Sequence, residues 1–119
     1  MIQVFGTAKS SDTRAAIRFF KERRLQNQFI DLKEKEMSRG EFDSVVSALK
    51  KRLGSREAAV EAMADTKSKD FALLSYLDDE DKVEKLFECQ TTLLKLPICR
   101  NGSAEATVGA ESDVWKNWK

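Results

Sequence analysis

The stretch from Ile2 to Leu32, IQVFGTAKSSDTRAAIRFFKERRLQNQFIDL, decides the fold. Ile2-Gln3-Val4-Phe5 is a short β-branched and aromatic run ended by Gly6, which reads as a strand. Ser10, Ser11 or Asp12 can cap the helix that follows, because each short polar side chain can accept a hydrogen bond from a first-turn N–H. Thr13, Ala16, Ile17 and Phe20 then fall on one helical stripe. Gln28-Phe29-Ile30-Asp31-Leu32 reads as a second strand. A strand, a helix and a strand within about thirty residues make a βαβ unit, with parallel strands and a right-handed crossover.

Beyond this unit the pattern turns helical. Ser38-Arg39-Gly40-Glu41 is a capping box, and Phe42, Val45, Val46, Leu49 and Leu53 continue it as an apolar stripe. Gly54 ends that helix and Ser55 can cap the next, whose apolar positions are Ala59, Val60 and Met63. Asp65 to Asp70 reads as a loop and Phe71 to Leu77 as a short helical turn. Asp78-Asp79 opens a helix carrying Val83, Leu86 and Phe87, with Cys89 placed on the same helix. Ile98-Cys99-Arg100 and Glu105 to Val108 flank Asn101-Gly102, a strong hairpin signal. A last helix follows Glu111-Ser112 and carries Val114, Trp115 and Trp118 on one side, where both indoles are expected to pack inward. The order is β-α-β, a helical insert over about residues 38–92, then β-β-α. It predicts an α/β fold with a four-stranded mixed sheet in order 4-3-1-2, strand 3 antiparallel, and helices on both faces.

Composition narrows the function. A chain of 119 residues makes one domain, 1–119, and its 34% charged and 41% hydrophobic residues suit a soluble globular protein. Lys and Arg number 21 against 20 for Asp and Glu, so the net charge of +1 gives no field for strong nucleic-acid binding. Arg23-Arg24 and Lys50-Lys51-Arg52 fall on helix ends, where cations favour the dipole. No apolar stretch approaches a membrane span and no signal peptide is read at the N-terminus, so a cytoplasmic protein is expected. The absence of histidine removes the commonest general base and metal ligand, and no metal site is expected. Cys89 and Cys99 read as free, buried, small apolar residues rather than a disulfide.

The loop between the first strand and helix sits where reactive groups are often placed, yet Ser10-Ser11-Asp12-Thr13 holds no cysteine, histidine or glycine-rich cradle. The helix start offers unpaired N–H groups to an anion, and Arg14 can add a positive charge. The same residues can simply cap the helix, and Asp12 sets a negative charge beside any anion.

The chain resembles the arsenate reductase (ArsC) and Spx family of small thioredoxin-like, glutaredoxin-like proteins. Phe5 through Arg14 lies where that family has an aromatic residue, a short loop, Cys-x-x-Cys or Cys-x-x-Ser, and then Arg. Leu93-Leu94-Lys95-Leu96-Pro97-Ile98 resembles its Leu-Leu-Lys-Arg-Pro-Ile segment, and Val108-Gly109 through Val114-Trp115 its closing stretch. The resemblance implies a thioredoxin-like fold with a cis bond before Pro97 opposite the helix start. Ser10 then stands at the nucleophile's position, Thr13 at that of the second cysteine, and Leu96 at that of the oxyanion-binding arginine, while Ala8 replaces a loop proline. A hydroxyl forms no disulfide and needs a strong base to attack, and Leu96 offers no fork to an oxyanion.

These readings favour a redox-inactive, non-catalytic module that binds another protein, as the Spx branch binds the RNA polymerase α subunit. Two other readings are an arsenate reductase or glutathione-dependent reductase with an atypical site, and a binder of a small anion or of glutathione. No cofactor is called for unless glutathione is the ligand. The binding residues expected are Ser10, Ser11, Thr13, Arg14, Leu96 and Pro97.

Overall fold

The computed structural model describes residues 1–119. Strand β1 (Ile2–Gly6), helix α1 (Ser11–Glu22) and strand β2 (Asn27–Asp31) form the opening unit. The insert holds α2 (Arg39–Leu53), α3 (Arg56–Met63), a 3-10 segment (Phe71–Tyr76), α4 (Asp79–Glu88) and α5 (Gln90–Leu93). Strands β3 (Ile98–Asn101) and β4 (Glu105–Val108) and the short helix α6 (Ser112–Trp115) close the chain. The sheet order is β2-β1-β3-β4, with β1 parallel to β2 and β3 antiparallel to both β1 and β4, as the sequence predicts. No helix is long and apolar enough to cross a membrane.

The period of two along β1 divides the core. Ile2 and Val4 face one side, where Cys99, Ala16, Phe20, Trp115 and Trp118 complete a cluster under α1 and α6. Phe5 faces the other side and joins Ile98, Ala106 and Val108 beneath the insert, against Phe42, Val45 and Leu49 of α2. Helices therefore cover both faces. The Phe20 ring lies 5.1 Å from Trp115 and stacks on Trp118 at 6.0 Å, so both indoles pack inward. Trp115 Nε1 donates to Thr107 Oγ1 at 2.7 Å, which anchors α6 to β4 through a buried polar pair.

Local signals explain most boundaries. Ser38 Oγ accepts from the Glu41 N–H at 3.2 Å while the Glu41 carboxylate accepts from the Ser38 N–H at 2.9 Å. Gly54 closes α2 with φ of 96°, a conformation that side chains resist. Asn101 pairs with Glu105, so the hairpin loop is Gly102-Ser103-Ala104, longer than a tight two-residue turn. Strand β2 lies one residue before the predicted Gln28–Leu32, because Leu32 leaves the strand and turns into the core while its N–H donates to the Gly6 carbonyl at 2.9 Å. Ile17 of the predicted α1 stripe is only half-buried, at the edge of the aromatic cluster. Cys89 does not lie within a helix; it occupies the break between α4 and α5.

Two contacts hold the layers in place. At Gly6 a Cβ would come within 2.6 Å of Thr13 Cγ2 and also strike its hydroxyl oxygen, so α1 approaches β1 only because that position has no side chain. On the other face, buried Gln90 donates to the Met37 carbonyl at 3.0 Å and accepts from the Met37 N–H at 2.7 Å. That pair fastens the segment leading into α2 to the end of the insert. Gly6→Ala is expected to cost about 1–3 kcal/mol by overpacking. Gln90→Leu keeps the volume but strands two buried backbone groups, a loss of roughly 2–5 kcal/mol. Urea unfolding checks both, each lowering the midpoint with little change in slope.

Candidate functional site

The loop after β1 turns tightly before α1. The Ser10 N–H donates to the Thr7 carbonyl at 3.1 Å, and the Ser10 hydroxyl accepts from the Thr13 N–H at 3.1 Å. Ser10 is therefore the N-cap of α1, with extended backbone. A hydroxyl so engaged is a structural acceptor, and no histidine exists in the chain to activate it.

Ser10 and Asp12 form one wall of a cleft of about 560 Å³. Leu94, Lys95 and Leu96 form a second wall, just before Pro97, and the Leu96–Pro97 bond is cis as the resemblance implies. The insert supplies the third wall through Glu61 and Ala62 of α3 and the turn Ala64 to Lys67, with Thr91 of α5 at its edge. An antiparallel bridge between Ala64 and Leu94 joins the second and third walls. Neither the Leu96 N–H nor its carbonyl has a hydrogen-bond partner within the protein.

Of the six binding residues expected from the sequence, Ser10 and Leu96 line this cleft together. The other four do not. Ser11 points to solvent on the first turn of α1. Thr13 is fully buried against Gly6, and its hydroxyl has no partner. Arg14 reaches back to the Ala8 carbonyl at 2.7 Å, which fixes the loop and takes its guanidinium out of the cleft wall. Pro97 is buried, and its carbonyl accepts from the Gly109 N–H at 2.8 Å.

The charges in the cleft are mixed. Asp12 and Glu61 have exposed carboxylates with no hydrogen bond or ion pair, and Asp65 accepts from the Lys67 N–H at 3.0 Å. Lys67 and Lys95 bring the only cations, so carboxylates outnumber ammonium groups. Glu61, Asp65 and Lys67 were invisible as site residues in the sequence: they occupy a helix end and a loop with no periodic or motif signal, and only tertiary folding carries them to Ser10.

Neither thiol reaches the cleft. Cys99 is fully buried in the aromatic cluster on the α1 face, and burial pushes its thiol up to about 12. Cys89 packs against the cluster on the opposite face of the sheet, and both cysteines are free. The sheet lies between them.

No protein-family model and no curated sequence matches the chain. Solved structures do share its fold. The arsenate reductase from Vibrio cholerae is 20% identical with a TM-score of 0.78, over 99% of this chain and 97% of that one. A Staphylococcus aureus protein known from a solution NMR structure is 21% identical with a TM-score of 0.76, over 99% and 98%. An arsenate reductase related protein from Brucella melitensis is 13% identical with a TM-score of 0.66, over 97% and 91%. The likeness spans the helical insert as well as the sheet, and the chain shares the fold of these three proteins.

Two expectations follow from the site. Ser10→Ala should lower stability by about 1 kcal/mol through loss of the cap, whereas Ser10→Cys should yield a thiol titrating below the ordinary value of about 8.5, because the helix N-terminus stabilises its thiolate. The absorbance of the thiolate against pH reads the second. Cys99 has its own pH signature. Its folded pKa lies above its ordinary value, so its stabilising effect is complete below about 9 and is lost as pH rises from about 9 to about 12. The alkaline fall in stability should be shallower in Cys99→Val than in the native chain.

Proposed function

We propose that this chain is a redox-inactive relative of the arsenate reductase and Spx proteins, and that it binds a partner protein through the cleft between Ser10 and Leu96. The observation that carries the reading is the Ser10 hydroxyl, which accepts from the Thr13 N–H where the resemblance sets a nucleophilic sulfur. A thiolate at a helix start attacks and is resolved by a second thiol; here Thr13 is sealed against Gly6 and no cysteine reaches the cleft. Leu96 adds an apolar side chain where an oxyanion would need a guanidinium fork.

What remains suits recognition. The free N–H and carbonyl of Leu96 are a donor and an acceptor on one residue, the pair that an extended main chain engages in β-type contact. The excess of carboxylates disfavours a simple anion. Glutathione, itself a small peptide, is the low-molecular-weight ligand that the same groups would admit. The RNA polymerase α subunit, implied by the Spx resemblance, is the first protein to test. A cytoplasmic setting agrees with two cysteines that stay unpaired.

The decisive measurement is turnover of arsenate and of a glutathione mixed disulfide by the native protein beside a Cys89, Cys99 double substitution. Neither protein should turn over either substrate, with any thiol donor. Turnover that survives the double substitution would place chemistry in the loop and end the redox-inactive reading; turnover abolished by it would end that reading equally, by assigning the chemistry to a cysteine.

A further inference from the structure

Strand β2 forms one edge of the sheet, with only β1 beside it. All five of its residues are at least partly exposed, whereas Ala106, Thr107 and Val108 on the opposite edge are buried. The Leu32 N–H bond to the Gly6 carbonyl fixes the parity of the parallel ladder. Gln28 and Ile30 therefore turn their main-chain groups to β1, and Asn27, Phe29 and Asp31 turn theirs outward. The Asp31 carbonyl accepts from the Glu34 and Lys35 N–H groups at 3.0 and 2.9 Å. The N–H and carbonyl of Asn27 and of Phe29 and the Asp31 N–H are left without a partner.

The α1 side of this edge is apolar at its centre and cationic around it. Phe29 pairs with Val4, which faces α1, so its ring lies on that face and is 38% exposed. Phe19 turns toward Trp115, which is tied to β4. The opposite flank of α1, toward β2, holds Ile17, Lys21 and Arg14. From Arg14 to Arg24 the chain has five cations and one carboxylate, and none of them forms an ion pair. None of these residues lines the cleft.

We propose that β2 is a second docking edge, which takes an extended acidic segment of a partner protein as a fifth strand. Such a segment supplies main-chain donors and acceptors at the spacing that Asn27, Phe29 and Asp31 require. Its side chains alternate, so an apolar residue lies on Phe29 and Ile17 while a carboxylate two positions away, on the same face, meets Lys21. A second copy of this chain is the poorer occupant. Two-fold antiparallel pairing of β2 with itself about Phe29 sets the two α1 helices side by side on one face. Arg14 of each copy then lies beside Lys21 of the other, a like-charge contact. A nucleic acid would answer the cations but not the alternating donors and acceptors of the edge.

Amide hydrogen exchange of the intact protein tests this with the acetylated, amidated heptapeptide Thr-Glu-Thr-Val-Thr-Glu-Thr and its counterpart with Lys for Glu. The acidic peptide should bind and slow exchange at Asn27, Phe29 and Asp31 by about tenfold or more at saturation, leaving β4 unchanged. Its affinity should fall as salt is raised. Lys21→Glu, at an exposed position, should weaken the acidic peptide by about fivefold and strengthen the basic one. Phe29→Pro removes an outward N–H and no ladder bond, so native circular dichroism should persist while the peptide is lost. Absence of binding, binding that leaves the three amides unchanged, or equal binding of both peptides overturns the proposal. Protection of those amides that grows with protein concentration in the absence of peptide overturns it in favour of a second copy. Preference for oligothymidylate over the acidic peptide overturns it in favour of nucleic acid.

Discussion

The closeness of α1 to β1 at Gly6 is the constraint on which the remaining geometry depends. Thr13 occupies the space where a side chain at position 6 would lie. With that space filled, α1 runs down one face of the sheet and buries Ala16 and Phe20 against Ile2, Val4 and the two indoles. The helix start is thereby held at the end of β1, directly opposite the segment before Pro97. Gly6 also serves the sheet itself: it pairs with Asp31 across the parallel ladder, and its carbonyl takes the Leu32 N–H as the chain leaves β2. One residue without a side chain thus sets helix, sheet edge and loop together.

Much of this was legible in the sequence because the signals were local. The βαβ start, the capping box at Ser38 and Glu41, Gly54 and the hairpin at Asn101-Gly102 each act within a few residues, and each element appears where its signal stands. The site was only half legible. Ser10 and Leu96 were found through flanking motifs, whereas the carboxylates of α3 and the following turn were not, since nothing within the insert marks the side it turns to the cleft. Thr13 and Arg14 illustrate a different failure. Sequence position placed both at the site, but side-chain direction decides, and one turns into the α1–β1 contact while the other folds back on Ala8.

Charge behaves similarly. A net charge of +1 describes the whole chain, yet the ions are unevenly arranged. Arg39 meets Glu84 through two hydrogen bonds of 2.7 and 2.8 Å and lies over the Phe87 ring, tying α2 to α4 at the surface. Arg52 meets Glu111 at 3.0 Å, and the same carboxylate receives the Val108 N–H at 2.8 Å, so α2 is linked to the end of β4.

Ser10 holds the loop in place by capping α1 through its hydroxyl. Serine is a better N-cap than cysteine, because its oxygen is the stronger acceptor for a first-turn N–H, so the loop needs no thiol to hold its shape. The walls of the cleft are fixed by the Ala64–Leu94 bridge, the Gln90 clamp on Met37, and the fit of Thr13 against Gly6. They present the unpartnered Leu96 N–H and carbonyl and the exposed carboxylates of Asp12 and Glu61.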